Sequence, residues 1–441
     1  MEDRPPFLRR LALDRPEARA WALYDWANSA FWTTIVTAIF PIYFLTVAKG
    51  LGEEAAQERF GWATTIAVLC VALLAPVLGA LADHAPVKKR LLGLCVVLGA
   101  GSTAGLFFVL PGDWLLGLVL FGLANVCVAA SVVFYDALLP HVARRGELDR
   151  LSASGFALGY LGGGLLLALN LVLVQRPDWF GLPTGDDLDV RAATLPVRLC
   201  FLSVAVWWAL FSIPLLARVS EPPVEPGRAR RASELVFGYF GHLRRSISGL
   251  LAYPQAALML VAFLVYNDGI LTVIRMAAIY AKAKGLGEGV LIGTILAIQF
   301  VGIPFAFLFG SLAGRFGAKR MILTGLGAYV LIVLVAYQMS STWEFVLVGI
   351  LVGMVQGGTQ ALSRSLFASL IPVAKSGEFF GLYAVGEKFA GLLGPLLFTL
   401  AIRAVGSEQA ILSVLIFFVL GGALLSRLRV EEGRARVAEE G

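Results

Sequence analysis

Little in this chain could hold a metal ion or a disulfide framework. Its 441 residues include four cysteines and three histidines. Cys70, Cys95, Cys127 and Cys200 fall inside apolar runs, without the paired spacing of a zinc site or a set of bridges. His84, His141 and His242 stand in separate polar stretches rather than at ligand spacing. The sequence contains no Walker loop, no Gly-x-Ser-x-Gly elbow and no His-Glu-x-x-His, the best-attested signatures of primary pumps, serine hydrolases and metalloproteases. No enzymatic role and no cofactor are therefore expected. Charge is scarce as well: 15% of residues are charged, against about 25% in soluble domains.

What is abundant is apolar: 58% of the residues, with 48 glycines and a mean hydropathy of +0.81. Glycine lets membrane helices approach where the hydrophobic effect cannot drive them together. A bilayer core of about 30 Å needs roughly 20 helical residues. Twelve apolar runs of that order occur, near 24–47, 60–82, 91–110, 114–139, 152–174, 194–217, 255–280, 290–313, 320–339, 343–370, 379–402 and 409–427. The expected fold is an all-α, multi-pass membrane protein.

The formal charge of +6 does not signal nucleic acid, because the basic residues collect in alternate loops. Lys88, Lys89, Arg90, Arg144, Arg145, Arg150, Arg315, Lys319 and Arg320 mark one side, which the positive-inside rule makes cytoplasmic, together with both termini. Residues 1–20 carry five arginines and no apolar core, unlike a secretory signal. Compact loops suit a bacterial plasma membrane better than a vacuole. Segment 218–254 opens with proline and charge. It then sets Val236, Phe240, Leu243 and Ile247 at helical spacing beside Arg244 and Arg245, as in an interfacial helix on anionic lipid. The expected units are a six-helix bundle over 1–217, this linker, and a second six-helix bundle over 255–441.

Three short phrases repeat. "GALAD" at 79–83 is answered by "GSLAG" at 310–314, "LLP" at 138–140 by "LIP" at 370–372, and Gly159-x-x-Gly162 by Gly391-x-x-Gly394. The offset is 231 or 232 residues each time, so the chain reads as two copies of a six-helix unit. Six spans preserve orientation, which makes the copies parallel repeats with a site between them near mid-membrane.

Gly79 to Asp83 followed by Lys88, Lys89 and Arg90, and the second copy from Gly310 through Arg315 to Arg320, resemble the loop signature of the major facilitator superfamily. "YDWANSAF" (24–31), "YNDGILTVIRMAAIY" (266–280), "GMVQGGTQALSRSLFASLIP" (353–372) and "EFFGLYAVGEKFAGLLGPLLF" (378–398) closely resemble the branch that holds the autophagy-related vacuolar effluxers of fungi and many bacterial proteins. The resemblance implies a secondary transporter, and in its eukaryotic members amino-acid efflux. Two departures stand out: Pro86 lies near the usual turn glycine, and Gly314 stands where the first copy has Asp83.

The polar residues inside the spans carry the functional reading, because an ionised side chain at mid-bilayer costs about 2.5–3.5 kcal/mol on the gentlest scale. Asp83, at a helix end near Lys88, Lys89 and Arg90, suits a gate that joins two helices in one state and releases them in the other. Asp25, Asn28 and Ser29 form a stripe at the inner mouth of the first span, where an acid also complements the helix dipole. Asp268 and Arg275, with Thr272 between them, lie in the seventh span, and Glu387 and Lys388 in the eleventh. Gln356, Gln360 and Arg364 recur every four residues in the tenth, and Asn125, Ser131, Tyr135 and Asp136 line the fourth. Together they suggest a wet passage for a small polar metabolite. An amino acid would suit Asp268 or Glu387 for its ammonium and Arg275 or Lys388 for its carboxylate, with a proton as candidate coupling ion and one chain as the working unit. The rival expectation is a receptor or assembly partner that keeps the fold without transporting.

Overall fold

The computed structural model describes residues 6–185, 187–223, 239–283, 287–339, 341–389, 393–405 and 407–439. Of the residues singled out above, Val236 and Gly391 lie outside them, and the side chains of Phe240, His242 and Arg275 do as well. All the spans are helical. The first six segments are α1 (Pro16–Val47), α2 (Glu53–His84), α3 (Lys88–Phe108), α4 (Trp114–Val142), α5 (Leu148–Gln175) and α6 (Leu195–Arg218). The linker supplies α7 (Tyr239–Leu251). Then follow α8 (Pro254–Ala283), α9 (Glu288–Phe316), α10 (Ala318–Tyr337) and α11 (Thr342–Ala368). The eleventh expected span comprises α12 (Ser376–Phe389) and α13 (Leu393–Val405), and the twelfth ends in α14 (Leu415–Ser426), followed by α15 (Val430–Ala438). Among the described residues, ten helices are long and apolar enough to cross a bilayer, or eleven if the segment Ile411–Ser426 and α15, bent 55° apart, count as one. The chain is a multi-pass membrane protein built as two six-helix repeats.

Several helices begin well before their apolar runs. α1 starts at Pro16, where proline's missing N–H is no loss, and α2 starts at Glu53 with Glu54 beside it in the first turn, where acids complement the dipole. The α1 backbone widens to a π-helix over Phe31–Ile39 before Pro41. Proline cannot donate to the carbonyl one turn back, and such widening is one way a helix accommodates it. Thr37 Oγ1 donates instead to the Trp32 carbonyl, at 2.8 Å.

Glycine explains how the helices meet within each repeat. A Cβ on Gly159 would press on Ser29 Oγ, on Gly162 on the Trp26 backbone, and on Gly163 on Thr33, so α5 seats α1 directly on its backbone. In the second repeat a Cβ on Gly394 of α13 would overlap Thr272 of α8. The glycine pair thus packs the fifth span on the first, and Gly394 of its later copy packs the eleventh on the seventh.

The ends carrying Lys88, Arg144, Arg145, Arg315, Lys319 and Arg320 lie together at one end of the bundle, called here the basic end. Arg15 Nη2 pairs with Glu147 there at 2.7 Å, and Lys319 Nζ donates to the Leu428 carbonyl at 2.8 Å, which anchors the approach to α15. α7 packs against α2 of the first repeat and α8 and α12 of the second. Ser246 and Leu250 are buried, while Arg244, Arg245, Ile247 and Leu251 are exposed.

Candidate functional site

The two repeats are joined across the basic end by two polar clusters. The first centres on Arg364, one turn from the end of α11. Its side chain is 5% exposed and reaches three helices of the first repeat. Nη2 contacts Asp25 Oδ2 of α1 at 3.2 Å, and Nη1 contacts Asp136 Oδ1 of α4 at 3.0 Å. Nε donates to Ser152 Oγ of α5 at 2.9 Å, and Nη2 also donates to the Ser152 carbonyl at 3.0 Å. The guanidinium sits over the rings of Phe156, Trp21 and Tyr135 at 4.6, 5.0 and 5.3 Å. Tyr135 Oη donates to Asp25 Oδ2 at 2.8 Å, and Trp21 Nε1 donates to the Tyr135 carbonyl at 3.0 Å. A planar fork with five N–H groups can satisfy so many acceptors at once; an ammonium cannot. Gly155 makes room, since a Cβ there would crowd Asp25 Oδ2.

The second cluster centres on Asp83, 6% exposed at the end of α2. Oδ1 accepts from the Gly377 N–H at 3.0 Å and Oδ2 from the Glu378 N–H at 2.7 Å. An acid of one repeat thereby caps the first turn of α12 in the other, where free N–H groups and the helix dipole favour negative charge. Lys88 Nζ pairs with Asp83 Oδ1 at 2.8 Å and donates to Ser376 Oγ at 3.1 Å, with His141 Nε2 alongside at 3.4 Å. The backbones touch here: a Cβ on Gly79 would overlap the Gly377 carbonyl, and one on Gly381 would crowd the Ala75 carbonyl. Lys89 contributes its backbone N–H to Glu221 Oε2 at 2.9 Å, and Arg90 is exposed.

The opposite junction, α5 on α9, lacks an acid at Gly314. Gly310 packs so closely on α5 that a Cβ would overlap Ala153. The polar tie is supplied from elsewhere, by Ser365 Oγ of α11 donating to Asp149 Oδ1 of α5 at 2.5 Å. Arg315 lies over the Phe316 ring at 5.3 Å, and Arg315 and Arg320 are both exposed.

Farther from the basic end lies a polar group of different character. Phe263 of α8 stacks on Tyr383 of α12, ring centroids 4.2 Å apart. Both helices start at the basic end and run the same way, so Asn267 and Glu387 each follow that stack by one turn. Asn267 is 1% exposed, and neither its Nδ2 nor its Oδ1 has a hydrogen-bond partner. A native interior rarely leaves both ends of a buried amide unmet. Glu387 is half-buried and makes no ion pair or hydrogen bond among the described residues. Lys388 Nζ sits 4.5 Å from the Trp32 ring centroid, at the π-helical stretch of α1. Counting from Ser376 at 1.5 Å per residue, Glu387 and Lys388 are roughly 17 Å along α12 from its basic-end start.

The remaining sequence candidates divide. Asp268, 2% exposed, accepts the Gly394 N–H on Oδ1 at 3.0 Å, and Thr272 Oγ1 turns back to the Asp268 carbonyl at 2.7 Å. Asp268 therefore ties α8 to the α13 backbone at Gly394. The Arg275 side chain lies outside the described residues. Asn28 donates to the Tyr24 carbonyl of its own helix at 2.7 Å, and Ser29 abuts Gly159, so Asp25 alone of that stripe reaches Arg364. Gln356 and Gln360, half-buried on α11, make no hydrogen bond among the described residues. Asn125 donates to the Phe121 carbonyl at 3.0 Å and Ser131 accepts from Tyr24 Oη at 2.6 Å. Among the residues of these clusters that went unremarked in the sequence are Trp21, Ser152, Phe156, Ser376 and Asn267. Asn267 adjoins Asp268 in an apolar span and could have been noticed on that ground.

Known proteins agree with this architecture. The family model described as "Vacuole effluxer Atg22 like" matches residues 62–438. The uncharacterized MFS-type transporter YxiO of Bacillus subtilis (strain 168) is 34% identical over 413 residues, spanning 93% of this chain and 94% of that one. Autophagy-related protein 22-1 of Phaeosphaeria nodorum is 24% identical, over 88% and 78% of the two chains. Among solved structures, the proton:xylose symporter XylE superposes with a TM-score of 0.66 at 14% identity, covering 96% of this chain and 95% of its own. An outward-facing bacterial homologue of the iron transporter ferroportin gives 0.66 at 17%, covering 94% and 99%. Transporters, not enzymes, make up these relatives and neighbours. A chain with this doubled six-helix architecture, matched along most of its length, belongs to the Atg22-like vacuole effluxer family of the major facilitator superfamily.

Proposed function

We propose that this protein is a secondary active transporter that carries an amino acid or a similar zwitterionic metabolite by alternating access, with its basic end facing the cytoplasm. One observation supports this most: the polar bridges described between the repeats close the same end of the bundle, while Asn267, with its unmet amide, lies deeper, one turn past an interhelical stack that Glu387 also follows. The bridges would part when the repeats rock, and the deeper groups would remain to meet a solute. A substrate ammonium finds Glu387, its carboxylate finds Lys388, and the Asn267 amide supplies a donor and an acceptor that no described residue uses. A buried polar group with open valences discriminates strongly for a ligand that fills them. The excess of Lys and Arg at the basic end supports the cytoplasmic orientation.

The test is counterflow. The purified chain is reconstituted into liposomes preloaded with a mixture of unlabelled amino acids, and entry of individual radiolabelled ones is followed. The expected result is accumulation of a subset that depends on protein. Glu387→Gln is expected to fold, as judged by monodisperse elution, and to lose at least tenfold in exchange, about 1.4 kcal/mol of binding or transition-state free energy. No counterflow with amino acids would remove the substrate reading; none with sugars, organic acids or peptides either would favour a receptor that keeps the fold.

A further inference from the structure

We infer that the Asp25–Arg364–Asp136 cluster is a proton-binding site that couples protonation of Asp136 to opening of the basic end. This rests on the transport reading above and gives it a coupling ion and an address. The charge count is the starting point. Two carboxylates converge on one guanidinium, all three side chains at most 14% exposed. A buried group carrying a net negative charge is costly and is relieved by taking up a cation. The smallest one is a proton.

The geometry selects the acceptor. Asp25 has two donors, Tyr135 Oη and Arg364 Nη2, and is the more exposed acid, at 14% against 8%. Asp136 has Arg364 Nη1 as its donor. Ionised carboxylates with fewer donors and less water are the easier to protonate. The groups that act on Asp136 come from three other helices and its own: Asp25 of α1, Tyr135 of α4, Arg364 of α11, and Tyr383 and Glu387 of α12. Arg364 is the cation of that set. It belongs to the second repeat, whereas both acids belong to the first.

That division gives the coupling its sign. With the basic end closed, Arg364 offsets the two acids and a proton is held weakly. Opening withdraws the guanidinium with its repeat, leaving the acids to each other, so a proton is held more tightly. By linkage the proton then favours the open state to the same extent that opening favours the proton. The proton arrives on an Asp136 carboxylate oxygen and leaves from it, with no other bond made or broken.

Nitroxide labels on Arg145→Cys and Phe316→Cys, exposed basic-end positions of the two repeats, report the opening in a background without the four native cysteines. Distances are read by pulsed electron resonance in nanodiscs from pH 5.5 to 8.5. The expected parent shows a short distance at high pH and a growing longer one on acidification, the ratio changing by up to about tenfold per pH unit, the limit for one proton. Asp136→Asn is expected to raise the longer population at pH 8.5 and abolish the pH response. A response that survives Asp136→Asn overturns the inference. Should Asp136→Asn not fold, Asp136→Glu is read in its place: a moved midpoint supports the site and an unmoved one overturns it. A parent that samples both distances with no pH response overturns the proton site and leaves transport standing; a single distance at every pH overturns both.

Discussion

Arg364→Ala is expected to abolish transport, at least a hundredfold below the parent, and to weaken the closed basic end. The substitution removes a guanidinium that ties α11 to α1, α4 and α5 through Asp25, Asp136 and Ser152. It leaves two carboxylates buried without their cation, a change that costs about 3–5 kcal/mol in comparable buried pairs. Arg364→Lys should restore little, because a single ammonium cannot span both acids and the Ser152 carbonyl together. Removing the charges in concert separates folding from function: Arg364→Ala with Asp25→Asn and Asp136→Asn should regain much of the lost thermal stability and none of the transport. The check is melting temperature in detergent beside counterflow in liposomes. A stable Arg364→Ala protein that exchanges substrate at the parental rate would mean that the cluster does not hold the repeats together.

Asp83→Asn is expected to slow exchange by tenfold or more with modest loss of stability. The asparagine can still accept one N–H from the start of α12. It gives up the second acceptor, the charge that complements the helix dipole, and the 2.8 Å pair with Lys88. A charge at a partly buried helix start contributes up to about 2 kcal/mol, so the closed state should lose population while the two repeats stay folded. Lys88→Met alone should also impair exchange, and the double substitution should be less damaging than the sum, since Asp83 and Lys88 share one interaction. Strict additivity of the two effects on counterflow would show that the pair is not a switching contact.

These expectations draw on residues that were unequally visible in the sequence. Apolar length and the 231- or 232-residue echo sufficed for the repeats because both are local or periodic properties. The glycine pair is an instructive case: Gly159 and Gly162 can be seen as a repeat, but only the packing shows that they seat the first span. Arg364, Asp25 and Asp136 each stand out as charges within apolar runs. Their meeting does not, because residues far apart in the chain converge only once two repeats are docked. Asp268 shows the reverse limit. Its depth in the seventh span suggests a ligand contact, and the packing adds that its carboxylate accepts the Gly394 N–H of α13. Asn267 next to it, uncharged and easily passed over, leaves both ends of its amide unmet among the described residues. The second junction also had to be seen: with Gly314 in the acid's place, the tie runs through Asp149 and Ser365, neither of which belongs to the repeated phrase.

For the protein to work, the repeats must part at the basic end. Asp149 of α5 and Ser365 of α11 touch there through their side chains, one from each repeat. With both replaced by cysteine in a background free of the other four, a short bis-thiosulfonate should join the repeats in the closed state. Counterflow of the substrate found in liposomes is then measured before linking, after linking and after reduction. The account predicts that linking stops exchange and that reductant restores it; exchange that continues at the unlinked rate through fully linked protein would contradict it.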